Sequence, residues 1–304
     1  MKKLIKKILF KIPPVKNLQV ELEKYKTYHP PGHYYSPVPD KQYVRENAER
    51  IFDRSKNTVA GVELREKEQL QLLESFQRYY NEVFFTDEKV VANRYWFKNP
   101  LYSYSDAIIL NCMIRHFSPS RIIEAGSGYS SAAMLDINEK TFNNSIDVLL
   151  VEPYPVNLEN LTAGFPKNFK IIPEFIQKVP LDTFKSLVKN DILFIDSTHV
   201  SKAGSDVNYI LFEILPVLNE GVIIHFHDVF YPFEYPQAWI EKGFSWNEDY
   251  LLRAFLMYNT DFEIVYFNTF IEQFHRDWLS INMPNVLKNM GGGLWLRKLK
   301  APRK

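Results

Sequence analysis

The stretch Arg121-Ile-Ile-Glu-Ala-Gly-Ser-Gly-Tyr-Ser-Ser-Ala-Ala-Met-Leu135 decides the fold of this chain. A short β-branched run ends in an acid, and a glycine turn and a run of small, helix-compatible residues follow it. In α/β proteins this order of strand, glycine turn and helix presents backbone N–H groups to a nucleotide-like ligand. A serine stands where a dinucleotide-binding turn carries its third glycine. The turn alone therefore leaves the ligand open.

The sequence after Leu135 alternates short apolar runs with segments of helical spacing. Strict alternation of this kind favours a parallel, doubly wound α/β sheet with helices on both faces. Pro216 interrupts the helical pattern of residues 207–218 and is expected to kink or shorten that helix. The predicted strands after the first are residues 147–152, 169–172, 192–196, 222–227, 262–268 and 294–299.

Acidic residues follow several of these strands, which places them at one edge of the predicted sheet. Ligands of such sheets bind beyond the carboxyl ends of the strands. This shared placement is the strongest indication of function in the residues themselves. The acids are Glu124, Glu152, Asp196 and Asp228.

The composition excludes several classes of protein. The chain has 304 residues, 46% of them hydrophobic, and a net charge of +1, so no global charge favours nucleic acid. The single cysteine, Cys112, excludes an internal disulfide framework and a cysteine-cluster metal site, and it suits a reducing, cytoplasmic compartment. No run of about 18 apolar residues is present, so no membrane span is expected.

Residues 1–95 are predicted to form a mostly helical N-terminal cap before a domain spanning residues 96–304. Residues 1–12 (MKKLIKKILFKI) place lysines on one helical face and apolar residues on the other. One interpretation is a basic helix on an anionic membrane surface, and the other is a helix docked on its own domain or on a second subunit.

Two aromatic segments each allow two interpretations. Residues 27–40 are rich in proline, tyrosine and histidine, and they either cover a binding cleft through His33, Tyr34 and Tyr35 or pack over the core as a strap. Residues 230–249 either stack on a sugar or aromatic acceptor or pack the following helix onto the sheet. A helix is also predicted at residues 106–117, with Ser105 as its N-cap.

Two acids narrow the choice of ligand for the glycine turn. Glu152 ends the second strand, where a carboxylate accepts hydrogen bonds from both ribose hydroxyls of NAD or of S-adenosylmethionine. Glu124 precedes the turn directly. An acid there would repel a pyrophosphate but attract a sulfonium or a free amino group, which favours S-adenosylmethionine.

On these residues, the sequence over positions 99–300 resembles the class I S-adenosylmethionine-dependent methyltransferases, including a final pair of strands that closes the sheet in antiparallel fashion. The resemblance implies a seven-stranded Rossmann-like sheet with strand seven antiparallel. It also implies S-adenosylmethionine as methyl donor. The positions that it assigns to donor binding are Glu124, Gly126, Ser127, Gly128, Glu152, Gln177 and Asp196.

Within this class, Asp196-Ser-Thr-His199 and residues 221–229 resemble the metal-dependent O-methyltransferases of the catechol and macrocin type. That likeness implies a divalent cation, Mg, Mn or similar, on Asp196, His227 and Asp228. It implies His199 as the base that takes the acceptor's hydroxyl proton, with Asp196 in the catalytic pair. The chain departs from the catechol pattern at His227, because imidazole suits Mn, Fe or Zn better than Mg. His225 is interpreted as a strand histidine with satisfied hydrogen bonds.

The sequence thus predicts a methyltransferase that acts on a hydroxyl of a small molecule or glycan, without nucleic acid as a partner. A metal-independent N-methyltransferase, a non-catalytic binding protein on the same fold and an NAD-dependent enzyme stay open as alternatives. A peripheral membrane contact through residues 1–12 and a homo-oligomer are also left open.

Overall fold

A seven-stranded sheet forms around the stretch Arg121–Leu135 in the computed structural model, which describes residues 13–24 and 26–302. The strand order is β3-β2-β1-β4-β5-β7-β6. Strands β1 to β5 pair in parallel, and β7 pairs antiparallel with both β5 and β6. The predicted doubly wound sheet with an antiparallel strand seven is therefore confirmed. The strands are β1 (Arg121–Ala125), β2 (Asp147–Val151), β3 (Lys170–Ile172), β4 (Ile192–Ile195), β5 (Ile223–His227), β6 (Phe262–Phe267) and β7 (Gly293–Lys298).

The central strands are apolar because helices cover both of their faces. Every residue of β4 and β5 is buried, as is expected for a parallel sheet between two helical layers. The helices are α1 (Pro13–Lys24), α2 (Lys41–Glu46), α3 (Ala48–Ile51), α4 (Glu66–Tyr80), α5 (Tyr104–Phe117), α6 (Tyr129–Phe142), α7 (Val156–Thr162), α8 (Leu181–Lys185), α9 (Asp206–Tyr209), α10 (Leu215–Val217), α11 (Gln237–Lys242), α12 (Glu248–Tyr258), α13 (Asn268–Phe274) and α14 (Arg276–Asn282).

Two local predictions meet different outcomes. Helix α5 begins at Tyr104, so Ser105 lies inside it and is not its cap, and the Ser105 hydroxyl donates to the half-buried carboxylate of Glu272. The expected disturbance at Pro216 is present: a π-helical turn, Ile210–Ile214, connects α9 to the short helix α10 that holds the proline. A proline lacks the N–H that a regular helix needs at this point.

The described residues divide into two compact units. One combines the described residues up to Ile51 with Gln237–Ser245, and the other combines Phe52–Pro236 with the described residues from Trp246 onward. Helix α4 lies in the second unit and buries Leu73 and Phe76 completely. The predicted domain boundary at residue 95 stays a prediction. The predicted basic helix of residues 1–12 lies outside the described residues. Among those described, no helix combines the length and the apolar character needed to cross a bilayer.

A buried ion pair fixes the segment that precedes α5 onto helix α6. The Arg94 Nη1 atom lies 2.9 Å from Asp136 Oδ1 and 2.7 Å from Glu139 Oε2. The backbone N–H groups of Arg94 and Tyr95 also donate to Asp136, which has no exposed surface. Burial raises the pKa of Asp136, although these hydrogen bonds and the arginine charge oppose the rise.

Replacing Arg94 by methionine is expected to lower the free energy of unfolding by about 3 kcal/mol, because one partner of a buried pair is left uncompensated. A buried carboxyl whose pKa lies above its unfolded value costs more stability as the pH rises through that pKa. Urea unfolding at pH 5 and pH 8 should therefore show the larger deficit at pH 8. Lys185→Ala, in an exposed pair with Asp182, is the control and should change little. An equal deficit at both pH values would contradict this account.

Candidate active site

The glycine turn after β1 is built around a close contact with the end of β4. Gly126 has φ +91°, and its N–H donates to the Val151 carbonyl at 3.0 Å. A Cβ atom at Gly126 would lie 1.8 Å from the Asp196 carbonyl oxygen, so only glycine fits. Gly128 is different, since its backbone is extended and a Cβ would meet only Asn157, at 3.4 Å. The backbone therefore requires glycine at Gly126 and not at Gly128.

Glu124 supports the turn from beneath. Its side chain has no exposed surface, and its two oxygens accept hydrogen bonds from the hydroxyls of Ser130 and Ser131 at the start of α6. Burial raises the pKa of Glu124 to about 8, against the effect of these hydrogen bonds. In this conformation the carboxylate offers a ligand no direct contact, and its two hydrogen bonds hold the start of α6 beneath the turn.

Glu152 links the turn to the loop after β2. Its Oε2 atom accepts from the Ser127 N–H at 3.1 Å, and its Oε1 atom accepts from the Tyr154 N–H at 2.8 Å. Each carboxylate oxygen can accept further hydrogen bonds. Glu152 is therefore held in place with acceptor capacity left for hydroxyl groups.

A cavity of about 420 Å³ lies between these elements, a size typical of small-ligand sites. Gly126 lines this cavity together with three other residues assigned from the sequence to the donor site, namely Glu152, Gln177 and Asp196. The Gln177 amide donates to the Gly204 carbonyl at 2.9 Å, which fixes one wall of the cavity. Its remaining lining includes Tyr154 and Phe175, whose rings meet edge to face.

The three residues predicted to hold a metal converge at the carboxyl ends of β4 and β5. One ligand atom from each of Asp196, His227 and Asp228 lies within 4.8 Å of the others. Asp228 has φ +56°, a left-handed conformation that costs energy in a residue other than glycine. Its N–H donates to the Gly292 carbonyl at 2.6 Å, which holds the residue in that conformation.

His199 lies against this cluster and is oriented by a residue that the sequence did not identify. Its Nε2 atom is 3.5 Å from Asp196 Oδ1 and 3.7 Å from Asp228 Oδ2. Its Nδ1 atom is 2.9 Å from Oε2 of the fully buried Glu248. The Trp246 ring covers the imidazole, with ring centroids 4.4 Å apart. A carboxylate on Nδ1 leaves Nε2 directed at the cluster.

Burial acts on every group of the cluster, and the charges respond to one another. Burial lowers the pKa of His199, but the hydrogen bonds and charges of Asp196 and Glu248 outweigh it and raise the pKa well above its usual value. For Asp196, burial favours the neutral form, yet His227 and His199 together lower the pKa. Burial raises the pKa of Asp228. The carboxylates thus favour the charged form of His199, and the imidazoles favour the charged form of Asp196.

Sequence reasoning also missed Asp106, in the first turn of α5. Its buried carboxylate accepts from the Gly292 N–H at 2.9 Å and so positions the loop that contacts Asp228. Burial raises the pKa of Asp106 to about 6. Neither Asp106 nor Glu248 follows a strand, so no pattern in the sequence distinguishes them from ordinary acids in the first turn of a helix.

His225 differs from its prediction. Within the part of the chain that the structure describes, neither ring nitrogen has a hydrogen-bond partner. The imidazole stacks between Phe194 and Trp295, with ring centroids 4.2 Å and 4.3 Å away. Burial lowers its pKa well below the usual value, so the ring is neutral and packs as an aromatic residue.

The aromatic segment after β5 contributes mainly to the core. Phe230, Tyr231, Phe233 and Tyr235 are all buried, and Tyr231 packs on Phe267. This favours the packing interpretation for these residues. In the segment 27–40, by contrast, Tyr34 and Tyr35 are exposed and stand beside the stacked rings of His29 and His33. A role of that segment in covering a cleft stays a prediction.

Comparison with known proteins agrees with this geometry. Residues 123–229 match a family model described as a methyltransferase domain. An uncharacterised protein of Archaeoglobus fulgidus is 37% identical over 166 residues, which is 54% of this chain and 75% of the archaeal protein. The chain belongs to the family of this archaeal protein. The methyltransferase-domain match runs from within β1 to just beyond β5, and it confirms the prediction of an S-adenosylmethionine-dependent methyltransferase.

Among solved structures, the chain is similar to the O-methyltransferase TomG of Streptomyces achromogenes, which was crystallised with S-adenosylmethionine. The identity is 13% and the TM-score 0.41, over 84% of this chain and 95% of that one. The S-adenosylhomocysteine-bound methyltransferase PaMTH1 of Podospora anserina is 17% identical at a TM-score of 0.41, over 90% and 99% of the two chains. These values are too low to assign an acceptor.

Proposed function

We propose that this methyltransferase transfers a methyl group from S-adenosylmethionine to a hydroxyl of a small molecule or glycan. Asp196, His227 and Asp228 would hold a divalent cation, and His199 would be the general base. The observation that carries the proposal is the convergence of the three ligand atoms within 4.8 Å of one another, with His199 Nε2 3.5 Å from Asp196. Asp196 also lines the donor cavity, so donor and acceptor sites would meet there.

The donor would occupy the cavity beside Gly126. Glu152 keeps acceptor capacity for the ribose hydroxyls, and the adenine would lie beside Phe175 and Gln177. Gly126 lets the turn approach Asp196 closely, which brings the donor cavity next to the cluster. Transfer of a methyl group depends mainly on alignment, so the rigid contact between these two residues would supply much of the rate.

The residues fit a cation. His227 is buried, and its Nδ1 atom has no hydrogen-bond partner among the described residues. One imidazole and two carboxylates suit Mn, Fe or Zn better than Mg. A bound cation would lower the pKa of the acceptor hydroxyl and fix its orientation.

His199 would take the hydroxyl proton at Nε2. Glu248 accepts the hydrogen bond from Nδ1–H, and this selects the tautomer whose Nε2 lone pair faces the cluster. Without a cation, the surrounding carboxylates favour the imidazolium. A bound cation would neutralise the charge of Asp196. The imidazolium would then be favoured less, and the neutral imidazole could accept a proton.

Calorimetry on the full chain tests the metal and donor assignments together. We expect S-adenosylhomocysteine to bind and NAD not to bind. We expect Mn²⁺ to bind the chelator-treated protein, with at least tenfold weaker affinity in Asp228→Asn, because one of the two carboxylate ligands is replaced by a neutral amide. Asp182→Asn, an exposed acid on α8, is the control. Binding of NAD alone would overturn the donor assignment.

The same preparations separate O-methylation from the alternatives. Methyl transfer that survives chelation and Asp228→Asn would favour the metal-independent N-methyltransferase. Donor binding without transfer to any hydroxyl or amine acceptor would favour a binding protein. Peripheral membrane contact, a homo-oligomer and a cytoplasmic location remain part of the proposal, and pelleting with anionic vesicles with and without residues 1–12 tests the first of these.

A further inference from the structure

A second cavity, of about 280 Å³, is lined mainly by residues that follow β6 and precede β7. Its wall includes the loop that carries Asn289 and Met290, and this loop continues to Gly292, whose carbonyl accepts from the Asp228 N–H. The Gly291 N–H, between them, donates to Glu272 at 3.1 Å, and Glu272 lines the cavity. One backbone loop therefore forms both the wall of the cavity and the support of Asp228.

The cavity carries two arginines, Arg54 and Arg276. Among the described residues, neither guanidinium forms an ion pair within 4.0 Å, and the charges of Asp249, Glu234 and Glu272 act on Arg54 from a greater distance. The guanidinium of Arg54 is partly buried, and its Nη1 atom donates to the Met290 sulfur at 3.7 Å. A guanidinium in such a position is a ready donor for a carboxylate or phosphate.

Neutral polar groups complete the lining. The Gln273 amide can both donate and accept hydrogen bonds, as sugar hydroxyls require, whereas the Asn289 amide already accepts from the Ser105 N–H and donates to the Met290 carbonyl. Glu272 does not cancel the arginines, because burial raises its pKa to about 8 and the carboxyl is largely protonated near pH 7. Its Oε1 atom is already engaged with the Ser105 hydroxyl. The cavity thus combines two cationic donors with several neutral polar groups.

We propose that this cavity binds the acceptor, and that the acceptor is a sugar carrying an anionic group, either a carboxylate or a phosphate, held by Arg54 and Arg276. This inference rests on the proposed function and narrows its substrate class. The anion would be held among the arginines, and sugar hydroxyls would pair with the Gln273 amide, which also lines the cavity. A neutral sugar would lose the contacts that the arginines provide.

Calorimetric titrations with glucuronate, glucose 6-phosphate and glucose test the proposal on the full chain. At least one anionic sugar should bind tenfold or more tightly than glucose, and the two anions tell a carboxylate from a phosphate ligand. Arg276→Gln and Arg54→Gln should each weaken that binding at least tenfold, whereas Arg78→Gln, on the exposed face of α4, should leave it unchanged. Higher salt should weaken binding in the wild type.

Equal binding of glucose and the anions, no binding of either anion, or indifference to Arg276→Gln would each overturn the proposal. Arg276 is exposed, so its variant is expected to fold even if Arg54→Gln does not, and thermal unfolding checks both. The titrations need no turnover. Anion binding without methyl transfer would therefore refute the proposed function alone, whereas transfer to neutral sugars only would refute this inference alone.

Discussion

Replacement of His199 by glutamine is expected to lower kcat for methyl transfer by about 10²–10⁴-fold, the contribution typical of a positioned general base. The Nε2 atom of His199 lies beside Asp196 and Asp228, where the acceptor hydroxyl would bind. Glutamine keeps a polar group at this place but cannot take up a proton at neutral pH. Initial rates of S-adenosylhomocysteine formation, measured at saturating donor, report the effect.

Two further measurements show whether a lower rate comes from loss of the base and not from loss of the fold or of metal binding. Binding of S-adenosylhomocysteine and of Mn²⁺ should be unchanged in the variant, because His199 is not one of the three predicted metal ligands. His275→Gln is the matched control, since that histidine pairs with Glu66 on α4 instead of with the cluster. A rate within about threefold of the wild type would contradict the role of His199 as base.

The sheet could be predicted because each of its strands is short, apolar and followed by a turn. β4 is apolar throughout and every residue of β4 and β5 is buried, as is typical of a sheet covered on both faces. The convergence of Asp196 and Asp228 followed from the same pattern, since parallel strands place their carboxyl ends at one edge. Asp196 and Asp228 follow the neighbouring strands β4 and β5, so their proximity could be predicted without the conformation of any loop.

The rest of the site depends on contacts that lie far apart in the sequence. Glu248 reaches His199 across 49 positions, on a helix that follows an irregular segment, and the direction of that helix is set by tertiary packing. The same holds for Asp106, which meets Gly292 across 186 positions. Glu124 shows the opposite case. The sequence places it at the edge of the sheet, but only the two serine hydroxyls reveal that its carboxylate points inward.

The two glycines of the turn differ in a way that the sequence motif does not show. Gly126 and Gly128 look equivalent in the sequence, yet only Gly126 has positive φ and backbone atoms of another strand within contact distance. Its φ alone would cost an alanine about 1–2 kcal/mol. The Asp196 carbonyl adds a steric overlap that no side-chain rotation can relieve, because the clashing atom belongs to the backbone at the end of β4.

Gly126→Ala is therefore expected to lower the free energy of unfolding by at least about 5 kcal/mol, comparable to the whole stability of many domains. Gly164→Ala is a matched control, since Gly164 has φ +84° but a Cβ there would meet no atom within 4 Å. We expect that variant to lose only about 1–2 kcal/mol. Urea unfolding of both variants measures the difference.

The comparison separates backbone strain from steric contact. If the two alanine variants lose equal stability, the close approach of β1 and β4 is not what requires glycine. If Gly126→Ala is the less stable but still binds S-adenosylhomocysteine as the wild type does, the contact serves the fold and not the donor site. The structure predicts loss of both, because the same carbonyl that excludes a Cβ belongs to Asp196, which joins the donor cavity to the residues proposed to activate the acceptor.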